Sequence, residues 1–181
     1  MKRSINLFLS GLSILFLWSC GQQESAINSQ LTENRIVQQD DGTVSLKLEK
    51  AACYNDASNP SNNTADWNVV ISKPGRFKVW LSSATKDTSN LRYENSVRIS
   101  FMDDHLEANP ACDKVIQNSG EVPFPYYRAD SYIGTFYVSE PGEYNIQVIS
   151  EKVIAKNAVS QNNSSVNDTK MMSVILTPAL R

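Results

Sequence analysis

The chain has 181 residues, with 17 Lys and Arg against 19 Asp and Glu and a formal net charge of −2. With no basic stripe or run, nucleic acid is not an expected partner. Once a leader and a tether are set aside, one ordinary domain's worth of chain remains, enough to bury a core of its own.

In chain order, the sequence opens MKRSINLFLSGLSILFLWSCGQQES, with Lys2 and Arg3 ahead of an almost uninterrupted apolar run, Ile5 to Trp18. Fourteen helical residues reach about 21 Å, short of the roughly 30 Å hydrocarbon core. Residues 1–19 therefore read as a secretory signal rather than a membrane span. Leu17-Trp18-Ser19-Cys20 resembles the bacterial lipobox, although Trp18 stands where the motif has a small residue. That resemblance implies lipidation at Cys20 and a mature protein anchored to the membrane of the cell envelope; a plain signal peptide with an incidental cysteine is the alternative. Acyl chains hold such an N-terminus firmly, each buried methylene contributing about 0.8 kcal/mol. Gly21 and Gln22 replace the Asp that marks inner-membrane retention and point by resemblance to the outer membrane. The rest of 20–42 is polar and Gln-rich, a flexible tether, which leaves 43–181 as the folded domain.

Thr43 to Leu48 (TVSLKL) alternates apolar and polar residues at period two, the pattern of a half-buried strand. Cys53 to Asp66 is dense in turn formers and reads as a surface loop. With Cys20 lipidated, Cys53 and Cys112 remain, without a CxxC pattern or a His cluster beside them. In an oxidising compartment an even pair reads as a disulfide, closing a loop of about 60 residues for roughly 4 kcal/mol; two buried thiols are the alternative.

Val70 to Ser83 (VISKPGRFKVWLSS) and Tyr137 to Ser150 (YVSEPGEYNIQVIS) are one phrase used twice. In each, a strand (Val69 and Ile71, or Phe136 and Val138) runs into Pro-Gly. A second strand leaves with Phe77, Val79 and Leu81, or Tyr144, Ile146 and Val148, on one face. Proline presets the first central position of a type II turn and glycine supplies the positive φ of the second. Period two does not distinguish a hairpin from a pair of strands that cross between sheets. With its neighbours claiming the core face, Trp80 points to the opposite side.

Between the copies, Val97 to Phe101 alternates, MDDH (Met102 to His105) reads as its turn, and Lys114 to Ile116 is a shorter strand. After the second copy come Glu151 to Ile154, an Asn/Ser-rich loop from Ala155 to Lys170, and a last strand, Met171 to Leu176, closed by Pro178. No window shows a helical stripe with caps. About eight short strands with Gly and Pro turns predict an all-β fold, an antiparallel, jelly-roll-like β-sandwich. The repeated phrase supplies two equivalent elements of it, and two copies are too few for a solenoid or propeller.

The order W-x-V-x-I-S-x-P-G-x-F-x-V, then Y-I-G-x-F-x-V-x-x-P-G-x-Y-x-I-x-V, then S-V-I-L-T-P spans Trp67 to Pro178. It resembles the galactose-binding-like β-sandwich modules appended to bacterial α-L-fucosidases, sulfatases and related polysaccharide-degrading enzymes, with Gly75, Gly134, Gly142 and Pro178 at the matching positions. The residues that match are structural, so the resemblance implies fold more than function. The Cys53/Cys112 pair and the Asn-rich loop lie outside the pattern. Some related modules hold a structural Ca²⁺. Glu49, Asp56 and Asp66 have suitable chemistry, but their spacing alone does not support a site, and no cofactor is expected.

His105, the single histidine, sits among Asp103, Asp104, Glu107 and Asp113. That is the composition of a metal ligand or general base, but Asp-rich turns are the default between alternating strands, and the polar hairpin turn is the reading taken. No nucleophile elbow, HExxH pair or P-loop occurs, so catalysis is not expected. Sugar sites stack an aromatic ring on a sugar's C–H face among planar polar groups. Phe124 to Tyr132 (FPYYRADSY) is such a segment, with Tyr126 and Tyr127 as platforms and Arg128 and Asp130 as hydrogen-bonding groups; Trp80 is the second candidate. The bland reading packs Tyr127 and Tyr132 on the sandwich edge and Trp80 under a loop. Asn157, Gln161, Asn162, Asn163, Asn167 and Asp168 offer amides and a carboxylate to hydroxyls or simply fill a mobile loop. The expected role is non-catalytic recognition of a glycan, by resemblance to carbohydrate-binding modules. The alternative is a structural or interaction lipoprotein that meets another envelope protein.

Overall fold

Strands that place Val, Ile, Leu and Phe on one face must bury that face, and this chain does so by closing two sheets on each other. The computed structural model describes residues 35–154 and 169–179. The first sheet runs in the order β1 (Arg35–Val37), β4 (Thr64–Ile71), β10 (Gly142–Ile149), β6 (Val97–Phe101) and β7 (Asp104–Ala108), with β3 (Ala52–Tyr54) also on β4. The second runs β2 (Val44–Lys47), β11 (Lys170–Pro178), β5 (Gly75–Thr85), β9 (Tyr127–Val138) and β8 (Lys114–Ile116). This is the all-β sandwich expected from the sequence, with eleven strands among the described residues. All pairings are antiparallel except that of β1 on β4. The turn after β6 uses only Met102, at φ 55°, and Asp103; Asp104 and His105 already belong to β7, with His105 opposite Ser100 at an exposed position.

The repeated phrase crosses between the sheets, once in each direction. β4 of the first sheet leads through Pro74 to β5 of the second, and β9 of the second leads through Pro141 to β10 of the first. The two copies then pair with each other: Gly142 faces Ile71 in one sheet, and Gly75 faces Val138 in the other. Equivalent residues lie 67 positions apart, as do Gly75 and Gly142 or Ile71 and Val138. The two registers are thus one register seen from either copy, and an approximate two-fold relates the halves of the core.

The expected type II turn is not formed. Gly75 opens β5 at φ 151° and Gly142 has no left-handed φ, whereas that turn needs about +80°. Gly142 instead leaves room for a side chain folded over it. A Cβ there would stand 3.3 Å from the Tyr144 ring, whose hydroxyl folds back to donate to the Glu140 carbonyl at 2.6 Å.

Aromatic residues tie the layers together. Buried Trp67 on β4 donates its indole N–H across the sandwich to the Lys47 carbonyl at 2.9 Å. Phe101 of β6 meets Phe136 of β9 and Tyr144 of β10, with ring centroids 5.4 and 5.2 Å apart.

Among the described residues the sandwich already includes Arg35–Val37, ahead of Thr43. Ile36 is part of the core, and buried Gln38 plugs the first crossover. Its side-chain oxygen accepts from the Ser72 N–H, the Ser72 hydroxyl and the Lys73 N–H, while its amide donates to the carbonyls of Gly42 and Lys73. Residues 35–42, read as tether, are therefore built into the sandwich. The signal segment, Cys20 and the remainder of the tether lie outside the described residues, as do residues 155–168 with all the polar groups named there from Asn157 to Asp168.

No disulfide joins Cys53 and Cys112. Cys53 sits on β3 opposite Ala65, at the rim of the first sheet, whereas Cys112 lies in the β7–β8 connection, which runs along β9 of the second sheet, where the Ala111 carbonyl accepts from the Ser131 hydroxyl. Burial, with Asp87 and Asp113 adding negative charge, pushes the Cys112 thiol up, away from the reactive thiolate.

One irregularity decides which side chains face outward from the second sheet. Val79 faces Gly134 but Trp80 faces Tyr132, so Ile133 is an extra residue in β9. This bulge turns Ile133 into the core and re-aims Tyr132 to the outer face. Gly134 permits it. Its φ is 155°, and a Cβ would stand 2.8 Å from a methyl of Leu106, which fills the space above it from β7.

Two stability measurements test this arrangement. Gln38→Ala strands buried backbone donors and acceptors and is expected to lower the free energy of unfolding by about 2–3 kcal/mol in denaturant titrations; a change under about 0.5 kcal/mol would place residues 35–42 outside the cooperative unit. Gly134→Ala is expected to cost about 1–3 kcal/mol for its backbone conformation. Gly120→Ala, with nothing within 4 Å of the added carbon, should change little, and equal effects at both positions would reject the bulge account.

Candidate functional site

Outward residues of the second sheet line up in rows, because register fixes which side chains share a face. Trp80 of β5 faces Tyr132 of β9 on one side and Ile175 of β11 on the other. In the next row Ser82 stands between Ser173 and Asp130, and Asp130 faces Lys114 of β8. Trp80 and Tyr132 form a tilted pair, with ring centroids 5.3 Å apart and planes at 58°. Tyr132 is held at both ends. Its hydroxyl bonds that of Thr135 at 2.8 Å, and its backbone N–H donates to the Asp113 carboxylate at 2.7 Å. Its side chain stays open to solvent, at 45% exposure.

Trp80 and Lys78 divide two hollows on this face. One, of about 410 Å³, is lined further by Lys114, Arg128, Asp130, Ile175 and Thr177. The other, of about 690 Å³, is completed by Asn109, Ala111, Asp113 and Tyr132. A third hollow, of about 700 Å³, lies at the Pro-Gly crossovers, with Tyr137 and Arg76 on its wall and the saturated Gln38 behind it.

Arg128 and Asp130 do come to the Trp80 hollow, but their hydrogen-bonding capacity is spent on each other. Arg128 donates to Asp130 through Nε at 2.8 Å and Nη2 at 3.1 Å, and to Glu121 through Nη1 at 2.5 Å. The Ser82 hydroxyl also donates to Asp130, and Lys47 of β2 lies 4.0 Å from Glu121. The side chains of Arg128 and Asp130 are only 18% and 8% exposed. Burial opposes the charge of Arg128, but the bonds to Asp130 and Glu121 outweigh it and hold the guanidinium above its ordinary pKa. This network pins the β8–β9 connection, which carries Glu121, toward β2 across the sheet and explains why outward Ser82 and Asp130 are buried.

The predicted tyrosines are elsewhere. Tyr126 is half-buried, six residues before Tyr132 and so roughly 20 Å away along the strand, with the ammonium groups of Lys86 and Lys170 at 5.0 and 5.9 Å from its ring centre. Tyr127 faces Thr85 on the core side of β9. Phe124, bonded through a cis peptide to Pro125, is 90% exposed. The residues that sequence reasoning passed over are Lys78 and Lys114, and Tyr132, named within the candidate segment, was not paired with Trp80. Lys78 was accessible from the same alternation that turned Trp80 outward, whereas the bulge hid the partnership of Tyr132.

The three carboxylates considered for calcium do not converge. Glu49 lies on a short 3₁₀ turn, Asp56 accepts the N–H groups of Ser58 and Asn59, and Asp66 accepts from the Gln147 amide across β4 and β10. Among the described residues no group of three or more His, Cys, Asp or Glu side chains is placed to hold a metal. Glu107, beside His105, is engaged by Ser96 and Arg98, which hold its carboxyl below the usual range.

Neither a protein-family profile nor a curated protein sequence matches the chain. Among solved structures it is similar to part of an α-L-fucosidase from Vibrio sp. strain EJY3, at TM-score 0.62 and 22% identity, over 80% of this chain and 24% of that one. Weaker likenesses are to the Podospora anserina GH26-CBM35 β-(1,4)-mannanase (TM-score 0.46, 10% identity, 78% and 28% of the two chains) and to the mosquito-larvicidal Cry4Aa toxin from Bacillus thuringiensis (TM-score 0.49, 9% identity, 82% and 25%). The chain spans about a quarter of the length of these structures. What it shares with the fucosidase is the β-sandwich fold.

Proposed function

We propose that this protein is a non-catalytic envelope lipoprotein whose β-sandwich recognises a glycan in the groove around Trp80. One observation carries the reading: an aromatic pair, Trp80 and Tyr132, stands on the outer face beside two hollows whose sizes fall in the range of small-ligand sites. The apolar C–H face of a sugar ring matches an exposed aromatic side chain. Asn109, Asp113, Thr177 and the lysines offer hydrogen bonds at its rim. The resemblance of Trp67 to Pro178 to sugar-binding modules supports the same reading. Anchoring at Cys20, and residence in the outer membrane, rest on Leu17 to Gln22. A second reading, a protein-interaction lipoprotein without a sugar ligand, rests on Phe124, exposed on the β8–β9 connection.

A glycan array probed with the full chain, Trp80→Ala and Tyr126→Ala separates them. The glycan reading expects saturable binding that weakens at least about tenfold in Trp80→Ala, the equivalent of about 1.4 kcal/mol, and persists in Tyr126→Ala. Silence across plant, mucin and bacterial glycans from a protein shown to be folded would favour the interaction reading.

A further inference from the structure

We propose that the Trp80 groove selects an anionic saccharide, bearing a carboxylate or a sulfate, and that Lys78 and Lys114 receive its charge; this rests on the glycan reading and adds the ligand's chemistry to it.

The cations beside Trp80 differ in how their charge is met. Three line the hollow beside Trp80: Lys78, Lys114 and Arg128. Arg128 is closed with Asp130, Glu121 and Lys47 into a network of two positive and two negative groups, leaving no net charge. Lys78 and Lys114 stand outside it, and among the described residues neither has an ion-pair partner. The carboxylate of the adjoining hollow, Asp113, accepts the Tyr132 N–H and keeps its negative charge. Two ammonium groups without an ion-pair partner, against that one carboxylate, therefore flank one aromatic platform and leave it net positive.

Their placement suits a short oligosaccharide. Lys78 precedes Trp80 by two residues on β5, and Lys114 lies two strands away, opposite Asp130 in the Ser82 row. Strand rise and spacing put their backbones roughly 16 Å apart, on opposite sides of the Trp80–Tyr132 pair. Their flexible stems let both ammonium groups reach a ligand lying over the rings. An anionic substituent there gains charge-assisted hydrogen bonds, while a neutral sugar leaves both groups in water.

The test titrates the full chain, at low and at moderate salt, with three probes of equal length: an oligogalacturonate, a sulfated galactan fragment and a neutral galactan fragment. At least one anionic probe is expected to bind about tenfold or more tighter than the neutral one. Lys78→Gln and Lys114→Gln are each expected to remove most of that preference and flatten its salt dependence, and Trp80→Ala to weaken all binding. The preferred anionic probe distinguishes carboxylate from sulfate. Equal affinity for charged and neutral probes, unchanged in the lysine variants, would overturn the charge inference and leave the glycan reading standing. Absence of binding to all three probes by a folded protein would overturn both.

Discussion

The structure depends on the mutual pairing of its two Pro-Gly crossovers. Each copy of the phrase contributes one strand to each sheet, and each strand finds its partner in the other copy, β4 with β10 and β5 with β9. Neither sheet can complete its centre without the other, so sheet formation and closure of the core are one event. The remaining strands add at the margins. β1, β3, β6 and β7 flank the first pair, and β2, β11 and β8 flank the second. Trp67 and Gln38 then lock the margins to the centre through backbone carbonyls and N–H groups that would otherwise be buried without partners.

The candidate site lies where the approximate two-fold fails. Both central registers agree up to Val79 opposite Gly134 and Ile146 opposite Trp67. One step further, Gln147 faces Asp66 in the first sheet, while its equivalent Trp80 faces Tyr132 rather than Ile133. The first sheet spends that position on a Gln147–Asp66 hydrogen bond of 3.0 Å. The second, through one bulge, presents an aromatic pair to solvent. A single extra residue thus converts a structural position into an outward aromatic pair, and the Arg128–Glu121–Lys47 bridge holds the flanking segment beside it.

Period two and turn formers make much of this fold readable in the sequence. The strands that alternate cleanly over five or more residues, such as VRISF or the second strand of each phrase, were legible, and so was the outward direction of Trp80. What escaped has physical reasons. RIV and ACY, β1 and β3, are three residues each, too short for periodicity, and earn their place by pairing with β4. DHLEA is a polar edge strand whose first residues read as turn. Whether a Pro-Gly phrase is a hairpin or a crossover depends on partners in the other copy, 42 to 85 positions away, which no local pattern contains. Within the site, Arg128 and Asp130 were legible as polar groups near aromatics, but not as groups already committed to each other and to Glu121. The expected disulfide failed because an even cysteine count says nothing about which sheet each cysteine joins.

The claim that the outer face of the second sheet is the recognition surface is tested most directly by NMR of the full chain, titrated with a glycan that it binds. Shifts are predicted to concentrate on the Trp80 indole N–H and on the amides of Lys78 to Ser82 and Asp130 to Tyr132. Shifts centred instead on the segments around Gln38, Lys73 and Tyr137, with the Trp80 indole unmoved, would contradict the account and place recognition at the crossover end of the sandwich.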